Sequence, residues 1–318
     1  MPKVSIIIPV YGVEKYIERC SRSLFEQTLD DLEYLFIDDC TPDKSIDVLK
    51  NILEEYPNRK NQVIIHRMDQ NSGQAIVRRW GMLNATGKYV THCDSDDWID
   101  VRMYEAMYNK AITNNADVVV CDYEITDGNK ECKRVNACHA NSPRQLVENC
   151  LLQIDSWSLC NKMFSRISYY NIEFPQGALG EDMVICIQSL FNCKTLSYID
   201  CPFYKYYFNP TSITKTLNRE SCIIRSKQLI DNSEILLRVI DNHKNEGEYD
   251  AGKIIFQDFV RSVLYPLIHE KEYYNLWRNL FGGINIKVLF SKHVSLSKKI
   301  RVILATIHLY PRKKGRVK

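Results

Sequence analysis

Asp94, Ser95, Asp96 and Asp97 stand directly after the apolar run Tyr89–Cys93 and before Trp98 and Ile99. Carboxylates one residue apart at a strand end can point into one cleft and share a divalent cation through oxygen ligands, the hard coordination that Mg2+ and Mn2+ prefer. Such a cation would bridge them to a diphosphate. An acidic loop that stabilises the start of the following helix is the other reading of the same residues. A second acidic pair, Asp38-Asp39, ends another apolar run, and adjacent carboxylates are rarely left unpaired inside a protein. A third, Glu181-Asp182, opens a helical pattern after the Gly-containing segment FPQGALG. A carboxylate there has room to come within about 2.6–3.2 Å of a substrate proton, as a general base must, or it only stabilises the helix N-terminus.

These groups need a frame that brings them together. Val4–Val10, Tyr34–Asp38, Val63–His66, Tyr89–Cys93 and Asp117–Cys121 are near-continuous apolar runs, the pattern of strands buried on both faces. Between them, Glu14–Gln27, Lys44–Glu55, Gln74–Asn84 and Met103–Asn115 have helical periodicity. The order βαβαβαβαβ predicts a parallel sheet with right-handed crossovers, which binds ligands beyond the carboxyl ends of its strands. Pro9-Val10-Tyr11, Asp38-Asp39 and Asp94–Asp97 occupy three such ends. Farther on, Lys130–Pro143 reads as an excursion or short hairpin, Leu146–Gln153 as a helix capped by Asn141-Ser142-Pro143, Trp157–Phe164 as an apolar-aromatic segment, and Glu181–Phe191 as a helix. A Tyr-rich run spans Tyr198–Phe208, and helices follow beyond Lys215.

As an ordered set, these segments resemble family 2 of the nucleotide-sugar glycosyltransferases, the inverting family of GT-A fold. VSIIIPVYG is similar to the family's first strand and nucleotide-contacting turn, with Glu14 at the acidic position that follows. FIDDCTPDKS resembles its V-D-D-G-S-T-D segment, NSGQAIVRRWG its N-x-G-x-x-x-A-R-N-x-G segment, and ATGKYVTHCDSDDW the strand entering its D-x-D motif. SLCNKMF, FPQGALGEDMVI and PFYKYYFNPTSIT resemble acceptor-side motifs of its polysaccharide-building members, so the likeness covers about residues 3–214.

The resemblance implies an α/β GT-A fold, a Rossmann-like and mostly parallel sheet flanked by helices, over residues 1–214, with a helical carboxyl-terminal region over 215–318. It also implies roles. Pro9, Val10, Tyr11 and Glu14 would line the pocket for base and ribose, Asp38 would bind the base supported by Asp39, and Asn71 and Gly73 would begin a loop approaching the nucleotide. Arg78 would sit near the diphosphate or the acidic cluster. Asp94 and Ser95 would bind the donor, with Asp94 on ribose or sugar hydroxyls; Asp96, with Asp94, would ligate Mn2+ or Mg2+; Asp97 would orient the sugar or support the site. Asp182 would be the general base, with Glu181 beside it, and Tyr204, Tyr206, Tyr207 and Trp157 would shape the acceptor side. Uridine diphosphate is the expected nucleotide because the family uses it most, with guanosine and thymidine donors as the alternatives. Three positions depart from the pattern: Gly12 and Arg79 stand where Asn is usual, and Cys40 where Gly is usual. Gly often serves where φ is positive.

Composition agrees with an enzyme of this size. The 318 residues are 45% hydrophobic and 25% charged, which excludes a disordered or fibrous chain. The twelve cysteines form no C-x-x-C pair and read as small buried hydrophobes. The opening residues lack a secretory signal's basic start and cleavage site, so a reducing cytoplasm is expected. Residues 273–318 hold eleven Lys or Arg and no Asp or Glu, leaving 31 basic against 39 acidic side chains in the rest. Within that tail, Leu296, Ile300, Ile303, Leu304 and Ile307 recur at helical spacing, and Pro311 opens the end PRKKGRVK. No stretch approaches the roughly 20 apolar residues of a membrane span. The pattern fits a basic amphipathic helix at the surface of an anionic membrane, through residues 292–318, or a solvated tail on an ordinary packed helix. No nucleic-acid module accompanies the charge.

Three rivals are open to the sequence. A sugar-phosphate nucleotidyltransferase would want a Gly-rich basic loop after the first strand, where PVYGVEKY supplies one Gly and an acid. A phospho-acceptor receiver would leave D-S-D-D and Glu181-Asp182 unexplained. A catalytically inactive nucleotide-sugar-binding protein would share every motif.

Overall fold

The computed structural model describes residues 1–128, 132–208, 218–245 and 248–310. The chain divides into two compact units, residues 1–147 with 156–209, and residues 148–155 with 210–318. The expected boundary at 214/215 falls in the segment 209–217, outside the described residues.

In the first unit, the apolar runs β1 (Val4–Val10) and β2 (Leu32–Asp38) are almost wholly buried and are joined by α1 (Ile17–Phe25). The helix α2 (Ser45–Glu54) leads to β3 (Val63–Arg67), and α3 (Gln74–Asn84) leads to β4 (Tyr89–His92). These four strands are parallel in the order β3, β2, β1, β4. Parallel pairing brings their carboxyl ends to one edge, and the register sets Val10 opposite Asp38. Packing fixes α3 over this edge. A Cβ at Gly81 would come 2.6 Å from Ile7 Cγ2, so only a residue without one lets the helix lie so close to β1.

The continuation departs from the predicted parallel sheet. The next elements are a two-residue strand β5 (Trp98–Ile99), α4 (Met103–Asn114), β6 (Val118–Thr126) and β7 (Cys132–Val135). Then come α5 (Pro143–Leu151), β8 (Lys162–Ser165), α6 (Glu181–Phe191) and β9 (Leu196–Tyr207). The strand β6 does not pair with β4; β8 enters between them, antiparallel to both. The sheet is therefore mixed, in the order β3-β2-β1-β4-β8-β6-β9-β5, with β7 forming a hairpin on β6 and β9 parallel to β6. The Ser142 hydroxyl caps α5 by accepting the Gln145 N–H at 3.2 Å.

The second unit is helical: α7 (Arg219–His243), α8 (Asp250–Arg261), α9 (Lys271–Asn279), α10 (Asn285–Phe290) and α11 (Leu296–Thr306). Its core gathers Ile255, Leu264, Trp277, Ile284, Val288, Val302 and Ala305. The expected helical stripe of the tail forms, but α11 packs by Val302 and Ala305, while Leu296, Ile300, Ile303 and Ile307 lie exposed. The PRKKGRVK end is outside the described residues. Among the described residues no helix is long and apolar enough to cross a membrane. Of the eleven cysteines whose side chains are described, Cys40 and Cys201 are half-buried and the other nine are buried.

Candidate active site

At the end of β2, four protein donors claim the two carboxylates. Asp38 Oδ1 accepts the Thr41 N–H at 2.7 Å, and Oδ2 pairs with Arg67 Nη1 at 2.7 Å. Asp39 accepts the N–H groups of Ser72 at 2.7 Å and Gly73 at 2.9 Å, while its own N–H donates to the Val10 carbonyl at 3.0 Å. Asp39 thus fastens the 71–73 loop, which ends on Gly73 at φ +82° before α3 begins. Cys40 adopts φ +56°, so the left-handed turn for which Gly is usual is kept without it. Its thiol donates to the Met68 carbonyl at 2.9 Å. The Val10 side chain, expected in the pocket wall, is instead sealed in the core. Only its carbonyl faces the strand end, because side chains alternate along a strand. Pro9 is half-buried, and Tyr11, Glu14 and Asn71 are exposed. The Glu14 carboxylate accepts the Lys44 N–H at 3.0 Å.

At the end of β4 the carboxylates press on one another. Asp94 Oδ1 accepts from Arg78 Nη2 at 2.7 Å and from Gln74 Nε2 at 3.2 Å. Its N–H donates to the Tyr204 hydroxyl at 3.1 Å, and that hydroxyl donates to Asp97 Oδ2 at 2.5 Å. The other Asp97 oxygen accepts the Tyr207 N–H at 2.7 Å. Burial first, then the charges of Asp94 and Asp96, hold the Asp97 carboxyl well above the usual carboxylate range. The Ser95 hydroxyl donates to the Pro9 carbonyl at 2.6 Å, tying the β4 end to β1. Asp96 is half-buried, and its carbonyl accepts from Arg19, whose guanidinium lies 3.6 Å above the Trp98 ring. Tyr204 is therefore a buried support for Asp97; Tyr206 and Phe208 are the exposed aromatics of this stretch.

Mutually repelling oxygen donors are the chemistry that a hard divalent cation relieves. Among the described residues no three His, Cys, Asp or Glu side chains group closely enough to enclose a metal ion. Asp94 and Asp96 offer carboxylate oxygens of the kind such a cation takes when one or two carboxylates are completed by phosphate and water.

Arg78 joins the acidic cluster to the third pair. It is buried, and its Nε lies 3.5 Å from Glu181 Oε1. Gly180, at φ +83°, turns the chain into α6 so that Glu181 and Asp182 stand in its first turn. Burial, then the Asp182 charge, pushes the Glu181 carboxyl up to about 8, against the pull of Arg78. Asp182 is also raised by burial, but Arg78, the Met183 N–H and Lys162 oppose the rise. Its Oδ1 accepts the Met183 N–H at 2.8 Å. Of the two, Glu181 is buried and holds its proton more firmly, and Asp182 is half-buried.

Part of the set singled out in the sequence forms one connected network, from Asp39 through Gly73, α3, Arg78, Asp94 and Tyr204 to Asp97, with Glu181 and Asp182 attached at Arg78; Tyr11, Glu14 and Asn71 lie exposed outside it. Sequence reasoning passed over Gln74, although it lies one helical turn before Arg78 and so on the same face of α3. It also passed over the buried Lys162, whose ammonium donates to the carbonyls of Ser156 and Ser158 at 2.7 and 2.8 Å.

Known proteins share this architecture. EpsH of Bacillus subtilis, named as a glycosyltransferase, is 31% identical over 232 residues, covering 69% of this chain and 64% of EpsH. The structure of S. aureus TarS 1-349 in complex with UDP-GlcNAc has the same fold, with a TM-score of 0.71 at 19% identity over 97% of this chain and 88% of that one. A Pyrobaculum calidifontis mannosyltransferase in complex with GDP-Man and Mn2+ superimposes with a TM-score of 0.56 at 13% identity, over 98% of this chain and 88% of that one. The profile of glycosyl transferase family 2 matches residues 5–167, the stretch that carries β1, the Asp38-Asp39 turn, α3 and the acidic end of β4. By that match over half of its length, the chain belongs to glycosyl transferase family 2.

Proposed function

We propose that residues 1–214 transfer a sugar from a nucleotide-diphosphate sugar, with UDP as the expected nucleotide, to a saccharide or lipid-linked acceptor in cell-surface polysaccharide synthesis, with inversion at the anomeric carbon. Pro9, Tyr11 and Glu14 line the base and ribose pocket, Asp38 reaches the base, and Asp39 holds the Asn71–Gly73 loop against the nucleotide. A divalent cation, Mn2+ or Mg2+, held by Asp96 with Asp94, would neutralise charge on the diphosphate leaving group. Arg78 keeps Asp94 in place, and the buried Asp97 supports the site through Tyr204 and the Tyr207 N–H. Asp182 takes the proton of the acceptor hydroxyl as its oxygen attacks the anomeric carbon from the face opposite the diphosphate, which inverts the configuration. The helical region 215–318 would make peripheral contact with an anionic membrane through residues 292–318, at the inner face of the plasma membrane.

The observation that carries this reading is the pair of carboxylates in the first turn of α6, a buried Glu181 beside a half-buried Asp182, both under the charge of Arg78, which also holds Asp94. The bound UDP-GlcNAc of TarS and the Mn2+ of the Pyrobaculum enzyme support the choice of donor and cation. The test is Asp182→Asn, expected to lower kcat by about 10²–10⁴-fold, the usual range for general-base catalysis, with the melting temperature unchanged. Unchanged turnover overturns the assignment. The donor is identified by thermal shift with UDP, GDP, TDP and CMP, with and without Mn2+, repeated on Asp96→Ala. A shift for one diphosphate that needs Mn2+ and is lost in the variant is the expected result.

A further inference from the structure

The last two helices of the second unit carry apolar surface that the sugar-transfer chemistry does not use. Each packs by one side and leaves large apolar side chains on the other. In α11, Val302 and Ala305 enter the core with Trp277. Leu296, Ile300, Ile303 and Ile307, spaced i, i+4, i+7 and i+11 and so on one face, are 72, 47, 44 and 53% exposed. In α10, Ile284 at the N-cap and Val288 are buried, while Ile286 and Phe290 are 69 and 85% exposed. Both helices contribute to a single core, through Val288 on one and Val302 on the other. Six large apolar side chains in two helical stripes are more than the scattered exposure usual on a soluble surface.

The charge around them has one sign. Lys287, Lys292 and Arg301 are exposed and Lys299 half-buried, and Arg312, Lys313, Lys314, Arg316 and Lys318 follow in sequence, with no acidic residue anywhere after Glu272. A partner must therefore bring an apolar interior fringed by diffuse negative charge. An anionic bilayer surface has that composition, because its acyl boundary takes the apolar stripe while its headgroups meet the basic residues. At about 1.5 Å per residue an eleven-residue helix is about half as long as the hydrocarbon core is thick, so α11 lies in the interface rather than across it.

We propose that the outward faces of α10 and α11, through Ile286, Phe290, Leu296, Ile300, Ile303 and Ile307, dock on an anionic lipid surface. This rests on the peripheral contact in the proposed function and gives that contact its surface. The test is co-flotation of the full chain with vesicles of phosphatidylglycerol mixed into phosphatidylcholine, and with phosphatidylcholine alone, at low and high salt. The partner variants are Ile300→Ser with Ile303→Ser and Ile286→Ser with Phe290→Ser, which leave the packed Val288, Val302 and Ala305 in place. Binding to the anionic vesicles is expected, weakened by salt and by omission of phosphatidylglycerol, and reduced about tenfold in either double variant. Binding that persists in both variants and vanishes only on removal of residues 311–318 overturns the proposal in favour of tail electrostatics alone. Absence of binding also overturns it, as does a concentration-dependent dimer that the serine variants abolish, which assigns the face to a second copy. A UDP thermal shift measured without lipid in the same variants keeps the outcomes separate: a donor shift with no flotation fails only the docking face, and flotation with no donor shift fails only the transferase reading.

Discussion

Two acidic strand ends, alike in sequence, do opposite work. Asp38-Asp39 at β2 and Asp94–Asp97 at β4 both follow buried apolar strands. At β2, each carboxylate oxygen meets a donor from the protein: the N–H groups of Thr41, Ser72 and Gly73 and the Arg67 guanidinium. The charge is consumed in building loops. At β4, Asp94 takes Arg78 and Gln74, Asp97 takes the Tyr204 hydroxyl and the Tyr207 N–H, and burial, then the charges of Asp94 and Asp96, drives Asp97 to keep its proton. There the charge is stored. Acidic clusters that remain under-neutralised inside a protein are where a cationic ligand gains most, so the second end is the one suited to a metal and a diphosphate.

Paired substitutions break or confirm this contrast. Asp96→Asn is expected to cost roughly a thousandfold in donor turnover, the scale of removing one preorganised charge contact, while leaving the melting temperature of the ligand-free protein unchanged or slightly higher. Asp39→Ala leaves the N–H groups of Ser72 and Gly73 without acceptors and is expected to cost about 2–4 kcal/mol of stability, read as a lower denaturant midpoint. If Asp96→Asn destabilises the fold and Asp39→Ala does not, the two ends have been assigned the wrong way round.

A smaller effect separates Glu181 from Asp182. The Glu181 carboxyl ionises near 8 in the folded chain, against an ordinary value of 4.5. Between those values the folded state binds more protons than the unfolded state, so this group makes stability fall as pH rises, by up to about 1.4 kcal/mol per pH unit. Above 8 its contribution is constant. Glu181→Gln has nothing to ionise and matches the protonated side chain in shape. Its melting temperature is expected to gain on the parent as pH rises from 5 to 8, with kcat retained within about tenfold. A variant less stable than the parent by the same amount at every pH would mean that Glu181 is an ordinary ionised partner of Arg78.

Much of the fold was legible because its signals are local. VSIIIPV and LEYLFID are apolar enough to be strands under any topology, and α3 and α6 occupy Gln74–Asn84 and Glu181–Phe191, as their periodicity predicts. The insertion of β8 between β4 and β6 was not legible. Lys162-Met163-Phe164-Ser165 has a buried lysine where a strand pattern wants an apolar residue, and the choice of neighbour strand is a tertiary property that no short window encodes. The site divides in the same way. That carboxylates gather at the strand ends follows from topology, but whether a given carboxylate is occupied depends on backbone N–H groups such as those of Ser72 and Gly73, more than thirty residues from Asp39. The packing of Arg78 between Asp94 and Glu181, and with it the placing of the proton on Glu181, exists only once α3 and α6 meet.

The smallest prediction concerns the turn between the β2 carboxylates and their partners. Cys40 holds φ +56°, a conformation that costs a residue with a Cβ about 1–2 kcal/mol. It recovers part of that through the thiol bond to the Met68 carbonyl, a weak donor interaction. Glycine removes the steric cost but loses more freedom on folding, by about 0.5–1 kcal/mol. Cys40→Gly is therefore expected to stabilise the protein by no more than about 1 kcal/mol, a shift of about 2–4 °C for a domain of this size, with donor turnover unaltered. That outcome would place the turn wholly on the scaffold side of the contrast, its geometry set by Asp38 and Asp39 whichever residue occupies position 40. A loss of stability would show that the bond to Met68, which draws the end of β3 onto the turn, contributes more than the strained φ costs. A change in donor affinity with stability intact would instead show that residue 40 itself helps to set Asp38 against the base, and would reduce the difference between the two acidic ends.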